Sequence, residues 1–190
     1  MARLVDQHGE IDLIPAHRAG REHYTALVRS IVGQQLSVKA AATIYGRVEA
    51  HFGGRAPAPD EILAADPDAL RATGMSRPKV GYLRSLAEHV LDGTIQLDRL
   101  DELHDDEVIR ELVAVKGLGE WTAHMFLMFQ LGREDILPVG DLGIRRAVER
   151  AYGLDAIPGP AEIEKIAEPW RPWRTLACRY LWESLDNAPG

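Results

Sequence analysis

Residues 112–123, Leu-Val-Ala-Val-Lys-Gly-Leu-Gly-Glu-Trp-Thr-Ala, read as the end of one helix, a tight Gly-x-Gly turn and the start of a second helix. Gly117 and Gly119 are expected to take the positive φ values a tight turn needs, and neither carries a side chain to keep a partner away. The N–H groups of Gly117, Leu118, Gly119, Glu120 and Thr122 lie where the new helix has no acceptors, at the positive end of its dipole. That arrangement binds an anion such as a backbone phosphate. Behind the turn, the carbonyls near Val113, Val115 and Leu118 could hold a monovalent cation, Na+ or K+. The same pattern also suits a plain αα-hairpin that binds nothing. About twenty residues on, Pro138-Val139-Gly140-Asp141-Leu142-Gly143-Ile144 sets one acid at the head of another helix. Asp141 is either an N-cap accepting backbone N–H bonds or a reacting carboxylate beside a phosphate clamp. The roles are compatible, because a helix N-terminus favours the ionised acid.

The elements that must position these groups are helical almost throughout. Apolar residues recur at helical spacing from Glu22 to Gly33, and Ser37 is placed to cap a helix running through Val38, Ala41, Ile44 and Val48. The Gly- and Pro-rich stretch from Gly53 to Asp60 is a loop. Short helices are expected over Asp60 to Ala65 and Pro67 to Thr73. A longer one starts at Ser76, with Val80, Leu83, Leu86, Ala87 and Val90 facing inward. Asp105 is read as the cap of the first hairpin helix and Glu120 to Leu131 as the second. Asp141 to Tyr152, Pro160 to Glu168 and Trp173 to Leu185 complete an all-α chain without strands or repeats.

At 190 residues with 46% apolar residues, the chain can build one domain or two lobes around a good core. Its one cysteine, Cys178, excludes an internal disulfide and a four-cysteine cluster. No signal-peptide pattern or membrane-length apolar run is present, so the expected compartment is the cytoplasm. None of the seven histidines falls in a metal-ligand spacing, and no catalytic metal is expected. His124, beside the hairpin, either faces a partner or packs. The net charge of −7 is unusual for a nucleic-acid binder. Three basic groups could act locally: Arg145, Arg146 and Arg150; Arg77, Lys79 and Arg84; Arg171, Arg174 and Arg179. Each could equally be a solvated helix face. Affinity for undamaged duplex would then be modest and salt-sensitive.

The segment from Val115 to Ala123 and the segment from Pro138 to Ile144 resemble the helix-hairpin-helix DNA glycosylases, within them the 3-methyladenine DNA glycosylase II (alkylbase) branch. Three further stretches match: Ser30-Ile31-Val32-Gly33-Gln34-Gln35-Leu36-Ser37-Val38, Thr73-Gly74-Met75-Ser76-Arg77-Pro78-Lys79 and Trp170-Arg171-Pro172-Trp173-Arg174. The resemblance implies a single glycosylase unit over 1–190, all-α, with two helical lobes and an active-site cleft between them. One lobe would cover roughly 30–130 with the hairpin at 107–131, and the other 1–29 plus 131–190. Larger members carry an additional N-terminal β-rich lobe, which this chain is expected to lack. Some relatives hold an iron–sulfur cluster, which one cysteine cannot build.

The resemblance implies roles as well. Asp141 matches the catalytic aspartate. Trp121 stands where glycosylases that also nick DNA carry a lysine, so no amine is there to form a Schiff base, and the implied enzyme is monofunctional, leaving an abasic site. Trp121 and Met125, four apart on one helix, share a face. With Trp182 they would form an aromatic pocket for a flipped, cationic base. The branch often has an aromatic where Met125 stands. The wedge that fills the vacated gap aligns with Gln35, where an apolar residue is usual, and Leu36 is adjacent. The implied partner is damaged double-stranded DNA, bound by a monomer associated with the nucleoid. A helix-hairpin-helix module that binds damage without catalysis is the alternative.

Overall fold

The computed structural model describes residues 1–11 and 20–185, and its regular elements are all helical. The α-helices are α1 (Ala2–His8), α2 (Gly20–Gly33), α3 (Val38–His51), α4 (Pro59–Ala64), α5 (Pro67–Ala72), α6 (Arg77–Leu91), α7 (Asp105–Ala114), α8 (Glu120–Phe129), α9 (Leu142–Tyr152), α10 (Pro160–Ala167) and α11 (Arg174–Glu183). The expected all-α class is what the molecule has. The described residues divide into two compact units: 20–126, and 1–11 with 127–185. Helix α2 lies in the first unit, and the hairpin is built by α7 and α8 over 105–129.

Local chemistry sets the helix starts. Ser37 caps α3, its Oγ accepting the Ala40 N–H at 3.3 Å. Proline occupies the first turn of α4, α5, α6 and α10, where a missing N–H costs nothing. The expected Asp105 cap is displaced by one residue. His104 is the N-cap, because the Glu107 carboxylate reaches back to accept the His104 N–H at 2.9 Å. Asp105, Asp106 and Glu107 then form an acidic first turn that suits the dipole. Helix α8 stops at Phe129 rather than Leu131. Gly132 turns left-handed at φ +66° and the Arg133 N–H returns to Leu127 O at 2.9 Å, a Schellman-like close. Helix α1 carries no strong sequence signal.

In the 20–126 unit, α2 packs on α3 and α6, and α4 and α5 pack on α6. Leu27, Ile31, Ile62, Leu70, Leu83, Leu86 and Leu112 are fully buried. Val90, expected inward, is half-buried near the end of α6. In the other unit α11 packs on α9 and α1. The N-terminus of α11 is stapled to the loop that leads toward Asp141. Thr175 Oγ1 donates to Arg133 O at 2.7 Å and accepts the Ile136 N–H at 3.1 Å. The Arg174 guanidinium holds the Asp135 carboxylate at 2.6 and 3.0 Å and its carbonyl at 2.7 Å.

Burial works to raise the Asp135 pKa, but Arg174 and Arg171 outweigh it and hold the carboxyl below the ordinary carboxylate value. A lowered native pKa adds stability above the unfolded value and loses it as pH falls through the native one. Asp135→Asn is expected to cost about 1–2 kcal/mol at neutral pH. In urea titrations the gap to wild type should close as pH drops below about 4; a gap independent of pH would contradict this.

Candidate active site

The hairpin turn is held from three sides within the 20–126 unit. Gly117 takes φ +94°, and a Cβ there would be driven into the Tyr82 ring of α6. Glycine is therefore required twice, for backbone and for space. The Lys116 N–H donates to Ser85 Oγ at 3.2 Å, and the Gln34 side-chain amide donates to Gly117 O at 2.7 Å. Leu118 is buried and pins the turn, while Gly119 and Glu120 are exposed at the head of α8 and Thr122 is buried beneath them. Gly119 does not take the expected positive φ. It precedes α8 and its carbonyl accepts the Ala123 N–H at 3.0 Å, a position that uses ordinary backbone geometry. A Cβ on Gly119 would meet nothing, so its value lies in leaving the outer surface clear. Of the three carbonyls considered for a cation, Val115 O accepts the Leu118 N–H at 3.1 Å. A second lone pair remains on that oxygen, so the turn's own hydrogen bond leaves it able to accept again.

Asp141 belongs to the other unit and is the N-cap of α9. Its Oδ1 accepts the Ile144 N–H at 2.7 Å and the Trp182 indole N–H at 3.1 Å. Trp182, on α11, is only 4% exposed, and its ring centroid lies 6.1 Å from that of Phe129. Gly143 makes the contact sterically feasible: a Cβ there would sit 3.0 Å from Asp141 Oδ1 and 3.2 Å from Trp182 Cδ1. Beneath them, burial and then the Asp141 charge push the Cys178 thiol up, so it stays protonated and offers no competing nucleophile.

The acid caps α9 in one unit, and the glycine turn precedes α8 in the other. The family model for the HhH-GPD superfamily of base excision DNA repair proteins matches residues 28–172. The chain belongs to that superfamily. It is 37% identical over 170 residues to DNA-3-methyladenine glycosylase 1 of Schizosaccharomyces pombe, covering 88% of this chain and 75% of that protein. Among solved structures it resembles a DNA-3-methyladenine glycosidase from Bacillus halodurans, with a TM-score of 0.85 and 39% identity over 96% of this chain and 82% of that one. It also resembles the S. pombe 3-methyladenine DNA glycosylase in complex with abasic DNA, with a TM-score of 0.83 and 34% identity over 97% and 90%.

Within this HhH-GPD chain the remaining expected residues separate by environment. Trp121 is 48% exposed on α8, with Met125 half-buried one turn later on the same helix. Trp182, also expected to line a base pocket, is buried with its N–H on Asp141. Gln35 and Leu36 are exposed, and Gln35 holds a left-handed φ of +58°. Among the described residues it is the non-glycine that does so. Trp170 is buried and donates to Tyr152 OH at 3.2 Å, whereas Trp173 is half exposed. Mostly buried His124 lies 3.9 Å from Glu120, and burial lowers its pKa against the pull of that acid.

Much of the expected basic surface is committed internally. Lys79 Nζ donates to Val32 O at 2.8 Å, Arg84 to Leu63 O at 3.0 Å, and Arg145 to Pro158 O at 2.7 Å. Arg171 and Arg174 hold Asp135. Arg77, Arg146 and Arg150 stay exposed. Sequence reasoning missed Gln34, Tyr82, Ser85 and Gly143. The first and last lie inside quoted motifs, and Lys79, Tyr82 and Ser85 recur every third residue of α6.

Trp182→Phe keeps the ring and removes the N–H. It is expected to lower the single-turnover rate of base release about tenfold while affinity for abasic-site DNA stays within about twofold. Gly143→Ala should reproduce the loss by pushing Asp141 and Trp182 apart. A Trp182→Phe rate equal to wild type would show that the N–H does not hold the acid.

Proposed function

We propose that this protein is a monofunctional DNA glycosylase that extrudes alkylated bases of the 3-methyladenine and 7-methylguanine type from duplex DNA and hydrolyses their N-glycosidic bond. The observation that carries the reading is the doubly held Asp141 carboxylate at the N-terminus of α9. A base alkylated on a ring nitrogen is cationic and leaves without protonation. As the C1′–N bond breaks, its electron pair goes to the base and positive charge grows on the sugar. A preorganised anion stabilises that oxocarbenium-like state. Water then bonds to C1′ and gives up a proton, which the carboxylate or solvent accepts, leaving an abasic site.

The other residues supply binding. Backbone N–H groups of Gly117, Leu118, Gly119, Glu120 and Thr122 receive a phosphate at the head of α8. Val113, Val115 and Leu118 would hold a Na+ or K+ ion through their carbonyls. When bound, such an ion supplies positive charge to the same phosphate. The exposed Trp121 ring, with Met125 beside it, is an electron-rich face for a cationic base. Tryptophan at this position gives no amine for a lyase step, and no cofactor is required. Gln35 and Leu36 are the candidates to fill the gap left by the base. The protein acts as a monomer on damaged double-stranded DNA, in the cytoplasm at the nucleoid. Among its described residues no helix is long and apolar enough to cross a membrane.

The test is to incubate wild type and Asp141→Asn with methylated duplex and identify released bases by chromatography. Wild type should release 3-methyladenine and 7-methylguanine, and Asp141→Asn at least about a hundredfold less. Folded wild type that binds damaged DNA but releases nothing would favour a non-catalytic damage-binding module.

A further inference from the structure

Three residues on one face of α6 hold two separate pieces of the DNA-facing surface. Lys79, Tyr82 and Ser85 are spaced by three and so lie along one side of the helix. Lys79 Nζ donates to Val32 O at 2.8 Å and fixes the C-terminal end of α2. Burial lowers the Lys79 pKa, in keeping with an amine committed to the interior rather than to solvent. Tyr82 packs its ring against Gly117, and Ser85 Oγ accepts the Lys116 N–H. The end of α2 and the hairpin turn are thus mounted side by side on α6.

Gln34 closes this bracket. Its backbone continues α2, donating to Ser30 O at 3.1 Å, while its side-chain Nε2 donates to Gly117 O at 2.7 Å. The next residue, Gln35, is forced into the left-handed region at φ +58°, where a non-glycine backbone is strained. Leu36 follows, 38% exposed, and its N–H returns to Gly33 O at 3.1 Å. Then comes Ser37, capping α3, and Val38, 72% exposed. A strained, outward-facing tip such as 35–36 persists only when its surroundings over-determine it. The Gln34 amide is one of those restraints, and it ends on the carbonyl of the left-handed glycine of the phosphate turn.

We infer that Gln34 is a positioning residue that couples the tip at Gln35 and Leu36 to the phosphate-binding turn at Gly117, so that gripping the backbone and pushing into the base stack act as one rigid movement. The inference rests on the proposed glycosylase reading for the direction of the push. Gln34 itself touches neither the reacting sugar nor the base. Its loss leaves the hairpin glycine, the acid and the tip side chains in place but frees the tip to yield when it meets stacked bases. The deficit therefore scales with how tightly the target base is held in its duplex. Unstacking costs more for a paired base than for a mismatched one.

The experiment uses the full chain and the variants Gln34→Met, close in shape but without a donor, and Gln34→Glu, which sets a carboxylate against a carbonyl. Thermal melts establish that each variant is folded. Single-turnover release of 7-methylguanine is measured from a duplex with the lesion correctly paired and from one with it mismatched. In parallel, 2-aminopurine is placed opposite an abasic-site analogue, where its fluorescence reports insertion of the tip without any chemistry. Gln34→Met is expected to lose about tenfold on the paired lesion and less than about threefold on the mismatched one. The 2-aminopurine signal at saturating protein should fall by about half or more. Equal losses on both duplexes, or a wild-type fluorescence signal, would overturn the coupling. Wild type that inserts but releases no base would instead overturn the glycosylase reading and leave the fluorescence comparison to decide the coupling.

Discussion

One oxygen of Asp141 takes two N–H groups, one from the backbone of its own helix and one from an indole, and the chemistry proposed for the chain depends on that grip. A carboxylate that waits for positive charge must be aimed beforehand, since reorienting it during bond cleavage would use up the stabilisation it provides. The N-cap position aims it through Ile144. The indole of Trp182 adds a second direction, available because residue 143 has no side chain. Helix α11, which carries that indole, is anchored through Arg174 and Thr175 to residues 133–136. The loop before the acid and the helix behind it are therefore fastened together, in part by the ion pair at Asp135.

The other unit meets a different constraint. A backbone turn that offers N–H groups to an anion must expose them and yet stay rigid. Gly117 gives up its side chain to let the Tyr82 ring stack where a Cβ would be, so the turn is supported from behind while Gly119 keeps its front clear. Ser85 and Gln34 take up the N–H of Lys116 and the carbonyl of Gly117. Several basic side chains of the three expected groups are spent in the same way, on helix ends and loops. The proposed recognition of phosphate by backbone N–H groups does not need a basic surface and so is compatible with the net charge of −7.

The sequence made much of this legible. The Gly-x-Gly turn, the acid after Gly140 and the caps at Ser37 and Asp141 follow from local rules, because each is decided by residues within one turn of chain. What stayed hidden depends on distant partners. Nothing local shows that the Trp182 N–H meets the Asp141 carboxylate, 41 residues away along the chain. Gln34 and Gln35 are identical residues in sequence; backbone conformation turns one inward to Gly117 and the other outward. The Asp105 cap moved to His104 because Glu107, three residues on, competes for that N–H. Gly119 looked equivalent to Gly117, but its place at the head of α8 asks nothing unusual of its backbone.

The most direct measurement of the central claim compares two abasic-site analogues in the same duplex, one a neutral tetrahydrofuran and one a pyrrolidine that is cationic at neutral pH. The cation mimics the charge that develops on the sugar, and a transition-state stabiliser must prefer it. Wild type is predicted to bind the pyrrolidine duplex at least about tenfold more tightly, a difference of ~1.4 kcal/mol, and Asp141→Asn should erase that preference while binding the tetrahydrofuran duplex as wild type does. Equal affinity of wild type for the two analogues would contradict the role given to Asp141.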